Sequence, residues 1–211
     1  MVNKFINFLK SPFYNKINKL DLFFAKIKTH LFYRIFFNKI DTNSVIKRPM
    51  FMANVHRISI GRNVYIRDFV RLEAVNDGSL IIQDGVSIEQ RCHITTAGKL
   101  IIGSNTTILF DIMITDIDHE YEDLNLPVAK QPLKVSKTYI GENCFIGSGA
   151  KIQAGTILGK HCVVGTNAVV RGTFPDYSVI VGIPAKIVKR YDLEKKEWRR
   201  TDAKGEFKDE I

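Results

Sequence analysis

The stretch that decides the fold runs from residue 140 to residue 170 and reads IGENCFIGSGAKIQAGTILGKHCVVGTNAVV. Aliphatic side chains recur in it at every sixth position, namely Ile140, Ile146, Ile152, Leu158, Val164 and Val170. This step does not match the α-helical period of about 3.6 residues. It predicts a parallel β-solenoid, in which each hexad supplies one short strand and one corner.

The same step appears in three earlier runs, which are Ile60-Ile66-Leu72, Ile82-Ile88-Ile94 and Ile102-Ile108-Ile114. A longer step follows the third hexad of each run. Three hexads therefore make one triangular coil, and the inserted residues leave the prism at one corner. The longest insertion lies between Thr115 and Tyr139.

Composition favours a soluble protein with one main domain, since 45% of its 211 residues are hydrophobic and 25% are charged. Lys4 and Lys10 interrupt any apolar run near the start, so we expect no secretory signal. No stretch approaches the roughly eighteen apolar residues of a membrane span. These features predict a cytoplasmic location.

The net charge of +9 is concentrated in residues 1–50, which hold ten Lys or Arg, two Asp and eight of the fourteen Phe. Ser11 and Pro12 are typical of a helix start. An apolar stripe follows at steps of three and four, through Ile17, Leu20, Phe24, Ile27, Leu31 and Ile35. This basic amphipathic helix is suited to capping the first coil, to contacting an anionic membrane surface through residues 1–40, or to both. Nucleic acid is not an expected partner, because the aromatic residues align in the stripe instead of lying free for stacking.

The three cysteines, Cys92, Cys144 and Cys162, each follow a repeat aliphatic residue by four positions. Other hexads carry Val, Thr or Ala there, which predicts that the thiols pack as small core residues. The alternative is a nucleophile or a set of metal thiolates. Because the chain has no CxxC pair, we expect no metal site.

The hexads are followed by Val181-Gly182-Ile183-Pro184-Ala185-Lys186 and then by Lys189-Arg190. Over roughly residues 58–198 this combination resembles the hexapeptide-repeat acyltransferases. The resemblance implies an all-β solenoid, the left-handed parallel β-helix, here with an N-terminal α-helical segment. It also implies a homotrimer that binds acetyl-CoA in grooves between subunits. We place the helical segment at 1–50, the β-helix at 51–190 with a loop at 115–139, and a tail at 191–211.

The candidate catalytic base is His119, in the long insertion. A sugar hydroxyl loses its proton as it attacks the acetyl-CoA thioester, and histidine suits that role near neutral pH. The stretch TDIDHEY at 115–121 is similar to the catalytic-histidine segment of sugar acetyltransferases in the family. Glu120 and Asp116 are candidates to accept the other imidazole N–H. The remaining histidines, at positions 30, 56, 93 and 161, are interpreted as ordinary surface residues.

Similarity to the family also assigns the coenzyme site to the last coils. Ser148 and Thr166 align with positions that bind pantetheine, and Gly147 and Gly165 allow close approach of the backbone.

Three cations complete the expected coenzyme site. Lys186 and Lys189 match the basic positions that meet the CoA phosphates. Arg171 stands one position before the lysine that many relatives carry, and we expect it to provide the same charge. The acceptor pocket is expected to face His119 across a subunit groove, with Glu89, Arg91 and Asp111 as lining candidates.

These features predict transfer of an acetyl group to a hydroxyl of a sugar in a bacterial surface polysaccharide, such as lipopolysaccharide, or its lipid-linked or nucleotide-linked precursor. One alternative is N-acetylation of an amino-sugar nucleotide with the same base. Another is a non-catalytic scaffold. A metal-dependent β-helix of the γ-carbonic-anhydrase type is disfavoured, because it needs an H-x4-H pair that the chain lacks near His119.

Overall fold

A computed structural model describes residues 14–208. The described residues begin with helix α1 (Tyr14–Lys28), which continues through a wider π-helical stretch at Thr29–Tyr33 and a last turn at Arg34–Phe36. Short 3-10 helices lie at Val55–Arg57 and Val128–Lys130. All other regular structure within residues 14–208 is β.

The strands follow one another in coils, three to a coil. Coils 1 to 3 consist of β1 (Lys39–Ile40), β2 (Val45–Ile46), β3 (Phe51–Ala53), β4 (Ile58–Ile60), β5 (Tyr65–Ile66), β6 (Arg71–Ala74), β7 (Ser79–Ile82), β8 (Ser87–Ile88) and β9 (His93–Thr96). Coil 4 and the hairpin after it consist of β10 (Lys99–Ile102), β11 (Thr107–Ile108), β12 (Met113–Thr115), β13 (Ile117–His119) and β14 (Leu133–Val135).

Two more complete coils and part of a seventh follow the hairpin. They contain β15 (Tyr139–Ile140), β16 (Phe145–Ile146), β17 (Lys151–Ile152), β18 (Ile157–Leu158), β19 (Val163–Val164), β20 (Val169–Val170), β21 (Thr173–Phe174) and β22 (Ser178–Gly182). The last strands are β23 (Ala185–Asp192) and β24 (Glu197–Arg200).

Each coil contributes one strand to each of three parallel sheets. Sheet 1 contains β1, β4, β7, β10, β15, β18 and β21; sheet 2 contains β2, β5, β8, β11, β16, β19 and β22; sheet 3 contains β3, β6, β9, β12, β17 and β20. The predicted fold is confirmed as a left-handed parallel β-helix with an N-terminal helix.

The core is the stack of repeat aliphatic residues. In sheet 1, Ile60 pairs with Ile82, Ile82 with Ile102, Ile102 with Ile140, and Ile140 with Leu158. All five side chains are buried. Because side chains alternate along a strand, the residue before each of them points outward. The six-residue period therefore fixes which residues reach solvent on every face of the prism.

Both predicted boundaries of the β-helix need correction. Coil 1 starts at β1, so the solenoid begins before residue 51, and its inward residues Ile40, Ile46 and Met52 keep the step of six. The repeat was not recognised in this coil, because Asp41 and Lys47 occupy positions where later hexads often have Gly. At the other end, β24 pairs with β23 and extends sheet 2, so the tail joins the solenoid.

The N-terminal helix covers coil 1 with the side that carries Ala25, Thr29 and Phe37, all of them buried. The Thr29 hydroxyl donates to the Ala25 carbonyl at 2.7 Å and accepts the backbone N–H of Ile46 at 2.9 Å. The helix therefore caps the first coil with the side that carries these buried residues. The predicted apolar stripe faces outward instead. The predicted helix start at Ser11 and Pro12 lies outside the described residues. Within residues 14–208, no helix combines the length and apolar character needed to cross a bilayer.

Glycines at one corner let successive coils approach closely. A Cβ built on Gly141 would lie 2.4 Å from the backbone oxygen of Gly159 in the next coil. Gly103 stands in the same relation to the backbone of Gly141, at 2.4 Å. The frequent Gly after a repeat aliphatic residue therefore reflects packing between coils.

We expect Gly141→Ala to reduce the free energy of unfolding by about 1–3 kcal/mol, because the new methyl group separates two paired coils. Thermal unfolding followed by circular dichroism measures the change. Glu142→Ala, at the exposed neighbouring position, is the matched control and should stay within about 0.5 kcal/mol of the wild type. Equal stability of the two variants would contradict this account of the corner.

Candidate active site

A cleft of about 300 Å³ lies on the outer face of sheet 3. Its floor is formed by outward-facing residues of coils 2, 3 and 4, which are Arg71, Glu73, His93, Thr95, Met113 and Thr115. The register places His93 between Arg71 and Met113 on the adjacent strands. The parallel stacking of three coils thus brings residues more than forty positions apart together on one surface.

The wall of this cleft is the β13–β14 hairpin, which begins at the end of β12 and carries His119. The strands are antiparallel, with Ile117 opposite Val135 and His119 opposite Leu133. The exposed His119 side chain lines the cleft together with Ile117 and Leu133. The predicted loop at 115–139 therefore contains a hairpin. This hairpin places His119 in the same cleft as His93.

Asp116 anchors the hairpin at its base. Its carboxylate is buried and accepts hydrogen bonds from the Thr96 hydroxyl at 2.6 Å, the Ala97 N–H at 2.8 Å and the Gly98 N–H at 3.0 Å. These partners belong to the turn of the preceding coil, one layer away. Asp116 thus fixes where the hairpin leaves the prism, and the interpretation of Asp116 as a partner of the imidazole needs correction.

Glu120, the other predicted partner, is exposed, and its backbone N–H donates to the Pro132 carbonyl at 3.0 Å. Over residues 14–208 no hydrogen bond joins the His119 imidazole to either carboxylate. The assignment of Glu120 stays a prediction.

Asp118 ties the hairpin to a later coil. Its carboxylate forms an ion pair with Arg171, which follows β20 at the end of coil 6. Asp118 lies directly before His119, so this contact fixes the strand that carries the imidazole. Arg171 was predicted to contact the coenzyme, yet it lies beside the hairpin and away from the corner described next.

Four predicted coenzyme residues meet at the corner between sheets 2 and 3. Gly147 and Ser148 form this corner in coil 5, and Gly165 and Thr166 form it in coil 6. The Gly147 N–H donates to the Val164 carbonyl at 2.8 Å, so the two corners stack directly. A Cβ on Gly147 would lie 2.7 Å from the Thr166 nitrogen. The absence of a Cβ at Gly147 therefore lets coils 5 and 6 pack closely, and the approach of a coenzyme to this corner stays a prediction.

The two predicted lysines lie on the strand that continues sheet 2 beyond coil 7. Lys186 pairs with Val181, whose side chain faces Gly165 of the corner. Lys189 lies further along the same strand, opposite Val179, and both lysines are exposed. The structure thus places Lys186 close to the corner and Lys189 further from it.

His93 was interpreted as an ordinary surface residue, and the structure places it in the cleft. Partial burial lowers the pKa of His93, the positive charge of Arg71 lowers it further, and Glu73 partly opposes both effects. Its Nε2 lies 2.6 Å from the Thr95 hydroxyl oxygen. The imidazole is therefore neutral at pH 7. One sequence signal was available: His93 precedes a third-hexad aliphatic residue, so it points outward on the sheet from which the long insertion departs.

The proposed lining residues Glu89, Arg91 and Asp111 do not line the cleft. Arg91 pairs with Asp111 at 2.6 Å, and Glu89 pairs with Arg67 at 2.8 Å. These ion pairs join neighbouring coils beside the corner between sheets 2 and 3. Their expected place in an acceptor pocket across a subunit groove stays a prediction.

The cysteines are core residues, as predicted. All three are free and buried, and the Cys92 thiol donates to the Leu109 carbonyl at 2.9 Å. Burial raises the pKa of Cys92 to about 11, and the neighbouring Cys162 together with burial raises the pKa of Cys144. A protonated thiol is a poor nucleophile. Across residues 14–208, no group of three His, Cys, Asp or Glu side chains is arranged to hold a metal ion.

Comparison with known proteins places this geometry in a family. Residues 137–172 match the model of the bacterial transferase hexapeptide (six repeats). The chain is 32% identical, over 185 residues, to an Escherichia coli K12 protein named as the lipopolysaccharide biosynthesis O-acetyl transferase WbbJ, covering 84% of this chain and 93% of WbbJ. The chain belongs to the hexapeptide-repeat acyltransferases. This confirms the resemblance inferred from the repeats.

Two further proteins are similar to this hexapeptide-repeat acyltransferase, one in sequence and one in fold. It is 38% identical over 137 residues to the Mycobacterium tuberculosis protein named as the acetyltransferase Rv3034c, which covers 65% of this chain and 45% of the relative. The fold matches AntD, an N-acyltransferase from Bacillus cereus solved with dTDP and 3-hydroxybutyryl-CoA, with a TM-score of 0.69 at 20% identity over 81% of this chain and 92% of AntD. The solenoid architecture is thus shared by enzymes that have diverged widely in sequence.

Replacing Asp116 by Asn should reduce the free energy of unfolding by about 2–3 kcal/mol, because a buried carboxylate that accepts three hydrogen bonds is lost. Asp118→Asn is the matched control on the same hairpin. It removes a partly exposed ion pair, worth about 0–1 kcal/mol. Urea denaturation of both variants measures the difference. A control as unstable as Asp116→Asn would show that Asp116 does not anchor the hairpin.

Removal of the Arg71 guanidinium should raise the pKa of His93. A neighbouring positive charge disfavours the imidazolium, and its loss leaves Glu73 to favour protonation. Titration of Arg71→Gln by NMR of the imidazole protons, assigned with His93→Gln, tests this. Arg62→Gln, which removes a guanidinium paired with Asp84, is the control and should leave the pKa of His93 unchanged. An unchanged value in Arg71→Gln would contradict this electrostatic account of the cleft.

Proposed function

We propose that this protein transfers an acetyl group from acetyl-CoA to a hydroxyl of a sugar in a bacterial surface polysaccharide or its precursor. The observation that carries the proposal is the position of His119 on the wall of a cleft whose floor includes Arg71, Glu73 and His93. Family membership supports acyl transfer. The similarity to WbbJ, named as an O-acetyl transferase of lipopolysaccharide biosynthesis, supports a sugar hydroxyl as the acceptor.

The proposed mechanism is direct attack with His119 as the general base. The acceptor hydroxyl gives its proton to the imidazole as its oxygen attacks the thioester carbonyl. The tetrahedral intermediate collapses and breaks the carbon–sulfur bond, and the imidazolium returns the proton to the CoA thiolate. No covalent enzyme intermediate is needed, which agrees with the burial of all three cysteines in the core.

The floor of the cleft suits a sugar. The Arg71 and Glu73 side chains form an ion pair at 2.6 Å and together offer charged donors and acceptors to hydroxyl groups. Thr95 adds a hydroxyl, and neutral His93 adds a second imidazole beside the base. The volume of about 300 Å³ is at the small end of ligand sites, which suits one sugar unit of a larger acceptor.

Two contacts hold the base in position for the acceptor. Asp116 fixes the start of the hairpin, and the Asp118–Arg171 ion pair fixes the strand beside His119. A base held by buried and charged contacts loses little entropy when the acceptor binds, and orientation of this kind supplies much of the rate enhancement in a two-substrate reaction.

The coenzyme is assigned to the corner formed by Gly147, Ser148, Gly165 and Thr166. Thr166 is exposed and Ser148 is half-buried at this corner, so their hydroxyl groups suit the amides of pantetheine, and Lys186 nearby suits a phosphate. Both this corner and the cleft border sheet 3. We propose a homotrimer in which acetyl-CoA lies in the groove between neighbouring subunits and presents its thioester to His119.

We expect His119→Ala to lower kcat/KM by about 100-fold or more, the usual scale for loss of a general base. The assay is CoA release from acetyl-CoA with a panel of sugars, lipid-linked glycans and amino-sugar nucleotides. His30→Ala, whose histidine lies in the N-terminal helix, is the matched control and should retain wild-type activity.

Each part of the proposal has a distinct failure. Retention of activity in His119→Ala would exclude His119 as the base. Release with amino-sugar nucleotides alone would make the protein an N-acetyltransferase. Failure of the wild type to bind acetyl-CoA in calorimetry would leave the scaffold interpretation.

A further inference from the structure

The N-terminal helix presents a continuous apolar surface that no part of residues 17–208 covers. This outer face consists of Ile17, Leu20, Phe23, Phe24, Ile27, Leu31, Phe32, Ile35 and Phe36. Leu31 is 71% exposed and Ile35 is 73% exposed. Soluble monomers rarely expose contiguous apolar patches of this kind without a partner.

Capping of the β-helix does not account for the outer face. The opposite side of the helix covers coil 1 through Ala25, Thr29 and Phe37. The buried residues of the helix lie on that side, whereas the large aromatic and aliphatic side chains of the outer face are 39–73% exposed. A second role for the helix is therefore required to explain them.

The charges around the outer face are positive. Lys19, Lys26 and Arg34 are exposed on the same helix. The acidic residue of this segment, Asp21, lies 2.7 Å from the Lys47 ammonium group, so its charge is neutralised within the fold. An apolar face bordered by cations is complementary to anionic headgroups above an acyl interior.

We propose that the outer face binds the surface of an anionic lipid bilayer, with the helix lying parallel to the membrane plane. Its aromatic and aliphatic side chains enter the boundary between headgroups and acyl chains, and the cations contact lipid phosphates. The helix is too polar to span a bilayer, in agreement with an interfacial position. Pairing of two such helices between copies is less favourable, because their exposed cations would approach each other.

This placement also brings the membrane close to the cleft. Coil 1, which the helix covers, exposes Met50 and Phe51, and the guanidinium of Arg71 lies 4.7 Å from the Phe51 ring centre. The floor of the cleft thus begins in coil 2, next to the coil that the helix covers. If the proposed function holds, a sugar carried on a membrane lipid reaches His119 without leaving the bilayer surface.

The test is flotation of the full chain with vesicles of phosphatidylcholine and phosphatidylglycerol. Wild-type protein should float with these vesicles, and less with phosphatidylcholine alone or in high salt. Leu31→Glu/Ile35→Glu should weaken partitioning by about 100-fold or more, because two buried aliphatic side chains are lost and two negative charges are added.

Leu193→Glu is the matched control, since Leu193 is 67% exposed and lies at the far end of the solenoid. It should bind vesicles like the wild type. Circular dichroism and activity on a soluble sugar establish that the double variant is folded, which separates loss of membrane binding from failure of the proposed function.

Two outcomes would overturn the proposal. In one, the double variant floats as well as the wild type. In the other, light scattering without lipid shows that the double variant has a smaller mass than the wild type, so that the outer face is an interface between copies of this chain.

Discussion

The structure depends on one constraint, the in-register stacking of parallel coils. Each repeat aliphatic residue lies over its counterpart in the adjacent coil, as Ile102 lies over Ile140, and buries its side chain between neighbours above and below. A coil has no core of its own, so its stability comes from these contacts and from the hydrogen bonds between coils. Glycines such as Gly141 keep the spacing close to that of a β-sheet. The stacking therefore determines the position of every outward side chain on these strands.

Stacking also sets the electrostatics of the cleft. Strands in a sheet lie about 4.8 Å apart, so outward residues at the same register are immediate neighbours. Several coils use this spacing to pair opposite charges, as in Arg62 with Asp84 and Arg91 with Asp111. His93 instead has Arg71 as its neighbour, and partial burial together with this adjacent positive charge lowers the pKa of His93. The chemistry of the floor therefore follows from the alignment of coils 2 and 3.

The six-residue period was sufficient to predict the fold and the number of hexads in each coil, which is three. The period arises because one residue of each hexad is buried in the core. It did not reveal coil 1, whose Met52 and missing glycines weaken the pattern. His119 as the base stays a prediction, whereas the contacts of His93 and Asp116 were not predicted, because they depend on residues in other coils. The apolar stripe of the helix was recognised, but a second side, with Ala25 and Thr29, fits the solenoid better. The sequence pattern predicts which residues of each coil are buried. The surroundings of a surface residue depend instead on contacts between coils.

The Asp118–Arg171 ion pair limits how this solenoid can evolve. Repeat proteins commonly gain or lose whole coils, since each new coil rests on its neighbour as the previous one did. Here the hairpin that leaves coil 4 is joined to coil 6, so exactly one coil, coil 5, must stand between them. Duplication or deletion of that coil would shift the guanidinium by about one strand spacing of 4.8 Å and release the hairpin. A change in coil number within coils 4 to 6 would therefore break this contact, while a change outside them would leave it intact.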